Sequence, residues 1–147
     1  MRPSRDVRVL CKTAVVVLTA TAANAAWSYQ PAVNYQLHCM GCHLADGSGE
    51  SGRVPSIRRT LLLFSSSPAG RNYVIRVPGV AQSPLSDADT AALLNWMTRS
   101  LSDLKVPAGL ADYSAAEVHD ARGRPLARVK ALRARLLKAA AASPHPP

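Results

Sequence analysis

Apolar and polar positions alternate along this chain in short blocks, and most of the blocks carry a helical period. Residues 85–97 (LSDADTAALLNWM) place Leu85, Ala92, Leu93, Trp96 and Met97 near one face. Ser86 is a suitable N-cap, and Asp87 and Asp89 fall in the first turn, where the helix dipole favours negative charge. Ser114-Ala115-Ala116-Glu117 is a capping box that opens a second, shorter helix, and Gly123 and Pro125 close it. Residues 126–141 predict a stronger helix, with Leu126, Val129, Leu132, Leu136 and Leu137 in one apolar stripe. Arg128, Lys130, Arg133, Arg135 and Lys138 take its other faces, and from Ala121 to Lys138 there are seven basic residues and no acidic one. Residues 57–64 (IRRTLLLF) read as a short helix and residues 65–70 (SSSPAG) as a loop. Residues 73–77 (YVIRV) suit a strand or a helix, since so short a run shows no decisive period. No internal repeat is visible.

The block at residues 13–23 (TAVVVLTATAA) is different, being apolar throughout and too short to span a bilayer. Arg2, Arg5, Arg8 and Lys12 precede it, and the small residues of Ala23-Asn24-Ala25 follow. That order is the pattern of a cleaved secretory signal, with cleavage expected after Ala25 or Ala26. Cys11 lies before the apolar run and lacks the small residues that precede a lipoprotein cysteine. The chain has 147 residues, which suits one domain with a modest core. Its formal charge of +9 includes four basic residues and Asp6 in the leader, so the mature form carries +6. Residues 143–147 read as a disordered, proline-rich tail.

Loss of the leader leaves two of the three cysteines, Cys39 and Cys42. Residues 39–43 read Cys-Met-Gly-Cys-His, the spacing of c-type haem attachment. Two thiols three positions apart can reach two vinyl groups on one side of a porphyrin, and the adjacent histidine then falls beneath the iron. Gly41 is expected to keep the loop clear of the porphyrin. A CxxC redox pair calls for a βαβ setting, which is not visible here. A zinc site built from His38, Cys39, Cys42 and His43 would crowd four ligands into six residues, whereas structural zinc draws on separated pairs.

Over roughly residues 30–100 the sequence resembles class I c-type cytochromes. Tyr35 stands four residues before Cys39, where that family often has an aromatic on its first helix. Leu44-Ala45-Asp46-Gly47-Ser48-Gly49 is similar to its glycine-bearing loop. Pro55, twelve residues after His43, matches a proline whose carbonyl accepts a hydrogen bond from the haem histidine, and Trp96 matches the aromatic that packs on the first helix. The resemblance implies an all-α, cytochrome c-like domain around one covalent haem c. Cys39 and Cys42 would be its attachment points, Pro55 would support the histidine, and His43 would be the metal ligand. The resemblance fails at the loop 77–84 (VPGVAQSP), which has neither methionine nor histidine where the family supplies its sixth iron ligand. Met97, His119 and an open position all stay in play; Met40 lies inside the attachment loop, and His38 and His145 are poorly placed. Arg71 and Arg76 are candidates to pair with haem propionates.

These readings divide the chain into a signal (1–25), a haem domain (26–108) and a helical C-terminal extension (109–147). They point to a periplasmic electron carrier rather than an enzyme, working between redox partners such as a dehydrogenase and a terminal oxidase. The alternative is a haem-based module that binds or senses small ligands at an open sixth position. The basic C-terminal helix is expected to pack its leucines on the body of the protein, to meet an acidic partner or anionic membrane, or to hold the chain on a larger enzyme. Nucleic acid is not expected as a partner of an exported haem protein. A single CxxCH excludes a di-haem peroxidase.

Overall fold

A computed structural model describes residues 28–142. The expected signal with Cys11, and the tail with His145, lie outside the described residues. The chain is all-α. Its helices run in the order α1 (Pro31–His38), α2 (Met40–His43), α3 (Thr60–Ser65), α4 (Pro68–Arg76), α5 (Pro78–Ala81), α6 (Asp87–Ser100), α7 (Ala115–Arg122) and α8 (Val129–Ala141). No strand forms among the described residues, where the only extended pairing is a bridge between Glu50 and Val54. No described helix is long and apolar enough to cross a membrane.

Local chemistry explains most helix boundaries. Pro31, Pro68 and Pro78 each sit in the first turn of a helix, where a missing N–H costs nothing. Ser86 accepts a hydrogen bond from Asp89 N at 3.0 Å, and Ser114 accepts one from Glu117 N at 3.1 Å. Residues 65–70 are not the loop their composition suggests. Ser67 caps α4 by accepting from Gly70 N at 3.1 Å, and Pro68 starts that helix. Serine and proline are loop formers in general but helix initiators in this order. The ambiguous run 73–77 is consequently the end of α4 with its C-cap Val77. At the other end, α8 begins three residues later than the apolar stripe predicts, because Leu126 N donates to Arg76 O instead. In α6 the buried face is Thr90, Ala91, Leu93, Leu94, Met97 and Thr98, while Ala92 points outward.

Four helix pairs build the core. Helix α1 lies on α6, with the Tyr35 and Trp96 rings 5.6 Å apart and tilted by 48°. Helix α3 packs on α4, with Phe64 edge-on to Tyr73 at 5.0 Å. Gly70 makes that approach possible, since a Cβ there would stand 2.2 Å from the Phe64 carbonyl oxygen. Helix α7 covers α6 and α4, burying Val118 completely. The stretch expected as an extension therefore shares the core. Tyr113 is buried with its hydroxyl 2.9 Å from Ser65 Oγ, and its backbone exchanges two hydrogen bonds with the Asn95 side chain. Arg71 lies 4.0 Å above the Tyr113 ring and pairs with Glu117. Glu117 is thus drawn away from the Ser114 backbone, and only half of the expected capping box forms.

Two outcomes follow from this packing. Gly70→Ala forces its Cβ against backbone that cannot rotate away, so denaturation should show a loss at the upper end of roughly 1–3 kcal/mol. Burial pushes the Tyr113 hydroxyl up to about 12, and burial together with the nearby Cys39 and Asp46 does the same for Tyr35. An unfolded tyrosine ionises near 10, so the unfolded chain releases these protons first and stability should fall as pH rises from about 10 towards 12. Tyr113→Phe should lower stability near neutrality by about 1 kcal/mol, through the lost Ser65 contact, yet flatten the alkaline fall in a pH series of thermal melts.

Candidate cofactor site

The Cys39–His43 segment leaves α1 at a hinge. Cys39 has φ −126° and ψ −37°, which breaks the helix for one residue before α2 resumes it. Cys42 N and His43 N both donate back to Cys39 O, at 3.1 and 2.9 Å. One helical turn then carries Cys39, Cys42 and His43, and positions three and four apart share a face. Both cysteines are free thiols, Cys39 half-buried and Cys42 exposed. Burial is the main reason that the Cys39 thiol is pushed up to about 11, with nearby Cys42 adding to it.

The loop that follows folds back on this turn. Leu44 takes φ 61° and its carbonyl accepts from Tyr35 Oη at 2.6 Å, which ties the exit of the turn to α1. Gly49 adopts φ 69° where a Cβ would meet Val54 O at 2.4 Å. Ile57 N donates to Gly47 O at 3.0 Å, closing the loop. Arg58 braces it from outside, paired with Asp46 at 3.0 Å and with Asp103. This path returns Pro55 to His43.

All four residues singled out by sequence, Cys39, Cys42, His43 and Pro55, line one cavity of about 310 Å³. That volume lies at the small end of ligand-binding pockets. The opposite walls are apolar: Leu61 and Phe64 from α3, Val74 from α4, Val80 from α5 and Leu94 from α6. Gly79 also lines it, and an added Cβ there would meet no protein atom within 4 Å. His43 Nδ1 is buried without a hydrogen-bond partner. Burial holds the imidazole below its ordinary pKa, and the Pro55 carbonyl, near but short of a formed hydrogen bond, pulls the other way. The ring is therefore neutral at neutral pH, the form that binds a metal. The arrangement suits a large apolar group that reacts with two sulfurs and offers a metal to nitrogen. Among the described residues no three His, Cys, Asp or Glu are gathered as a group that could hold a metal ion.

Other expectations change. Gly41 does not line the cavity, and nothing in the chain crowds it, so its backbone freedom has no visible use within the protein. Arg71 is committed to Glu117 and to the carbonyls of Ala111 and Asp112, and Arg76 to the Arg124 carbonyl and Asn72. Neither reaches the cavity. His119 is exposed and pairs with Asp87 at 3.0 Å, which leaves it outside the cavity as well. Met97 does line the cavity, from within the buried face of α6. The segment 77–84, expected as a loop, contains α5, and Arg122 of α7 fastens its end by donating to Ser83 O and to the adjoining Leu85 O at 2.8 Å each. Arg133 lines the cavity but carried no sequence signal for the site, because it lay in a basic helix whose charges all look solvated when read alone.

No family model matches the chain. It is similar to the cytochrome c-552 of Thermus thermophilus, with 28% identity over 106 residues, covering 60% of this chain and 81% of that protein. A second cytochrome c-552, from a further strain of Thermus thermophilus, is 28% identical over 106 residues and covered to 72%. The likeness is weak, and it is to c-type cytochromes.

Proposed function

We propose that this protein is a single-haem c-type cytochrome of the class I kind that carries electrons between redox partners in the periplasm. The observation that carries this reading is the single turn bearing Cys39, Cys42 and His43 at the rim of an apolar cavity, with His43 neutral and its buried Nδ1 unpartnered. When bound, that group would supply an iron able to take up and give up one electron. Cys39 and Cys42 would fix that group covalently, and His43 would hold the iron. The Pro55 carbonyl orients the imidazole and raises its basicity once the hydrogen bond closes. The leucine, valine and phenylalanine walls exclude water, which shapes the potential. The leader pattern supports export, and thioether attachment belongs outside the cytoplasm. A dehydrogenase as donor and a terminal oxidase as acceptor fit such a carrier, and the basic face of α8 fits an acidic partner or an anionic membrane surface.

Purified protein from a host that matures such proteins should be coloured and should cycle reversibly between two absorption spectra. Cys39→Ala with Cys42→Ala should abolish covalent retention of the colour under denaturing conditions. A colourless wild type rejects the proposal. Rapid carbon monoxide uptake by high-spin ferrous protein would favour the ligand-binding alternative over the carrier.

Met97 has a separate expected outcome. It lies in the buried face of α6, so Met97→Ala should cost roughly 2–5 kcal/mol by opening a cavity and leave the axial-ligand bands unchanged. Disappearance of a far-red sulfur-to-ferric-iron band in that variant would instead make Met97 the sixth ligand.

A further inference from the structure

We propose that Arg133, delivered by the C-terminal helix α8, is the residue that binds a carboxylate of the cofactor in this cavity. The inference rests on the haem reading above.

Among the residues that line the cavity, Arg133 is the only arginine or lysine. It sits one turn after Val129, which lines the same wall, and α8 rests on α3 and α4. No residue of α8 is fully buried, and Val129, Leu132, Leu136 and Leu137 pack partly buried against the core. The guanidinium carbon of Arg133 stands 6.0 Å from the Phe64 ring, and no carboxylate pairs with Arg133 among the described residues. The other arginines near the core are already engaged: Arg71 with Glu117, Arg76 with the Arg124 carbonyl, and Arg122 with Asp87. The groups that face Arg133 do not neutralise it. Helix α4 presents Tyr73, whose ionisation burial opposes and Arg133 favours, and α3 presents Phe64 and no titratable side chain. Across the cavity stand only His38, His43 and the two thiols.

A half-buried guanidinium at the mouth of an apolar cavity is stabilised by an anion there. A planar carboxylate matches its fork of donors. Haem brings two such carboxylates, and this chain places one matching cation among the cavity walls. The consequence reaches beyond the site, because the same contact would hold α8 down on α3 and α4. The C-terminal helix then acts as a strap whose docking depends on the cofactor's charge.

The test uses the full haem-loaded chain as wild type, Arg133→Gln, Arg133→Lys and Arg135→Gln, the last on the same helix but outside the cavity lining. Midpoint potential is followed against pH, and amide exchange is followed over residues 129–142. Loss of the cation should favour ferric iron, so Arg133→Gln should have the lower potential. It should also move the carboxylate-linked bend in the profile upward by about one pH unit or more. Amide exchange of α8 should quicken in that variant, Arg133→Lys should be intermediate, and Arg135→Gln should match wild type. Coloured Arg133→Gln with an unshifted profile overturns the proposal, whatever happens to exchange. So does a variant that loses only an azide-induced spectral change, because Arg133 would then serve an external anion. If Arg133→Gln fails to accumulate, Arg133→Lys decides by the same shift. A colourless wild type overturns the haem reading and this one with it.

Discussion

The constraint on which this structure depends is a cavity that the chain lines but does not fill, with two thiols and a neutral imidazole held on one turn at its edge. Leu61, Phe64, Val74, Val80 and Leu94 line it. The hinge at Cys39, the Leu44 exit tied to Tyr35, and the return of the loop to Pro55 make sense as one device that aims His43. The buried, unpartnered Nδ1 fits the proposed binding of a metal-bearing group here. A buried polar nitrogen costs free energy unless something compensates, and a metal on the other ring nitrogen would make this N–H a stronger donor and so close the Pro55 contact.

The second half of the fold secures that arrangement from behind. Tyr113 links α3 to α6 through Ser65 and Asn95, Glu117 holds Arg71, and Arg122 fastens the carbonyls of the loop before α6. A region that composition separates from the stretch bearing Cys39, Cys42 and His43 therefore belongs to the same core. Segment 77–84 lacks a methionine or histidine, but its backbone is positioned by Arg122 of α7.

What could be read in the sequence was local. Cys39, Cys42 and His43 lie within one turn, so their spacing alone places them together; the Ser86 and Ser114 caps follow from neighbours three apart. Residues that meet across the fold left no such trace. Arg71 and Arg76 look like free surface cations until Glu117 and the Arg124 carbonyl are brought to them. Arg133 looks solvated until α8 docks on α3 and α4. The start of α4 was hidden differently, because Ser67 and Pro68 have loop-forming composition and helix-starting order.

The central claim is that sulfur from Cys39 and Cys42 joins a porphyrin whose iron His43 holds. Mass analysis of the peptide spanning residues 39–43, taken from protein matured in a host competent for such attachment, tests it most directly. The account predicts that this peptide carries the mass of one haem through two thioether links. Two free or mutually bridged thiols on an unmodified peptide would contradict it.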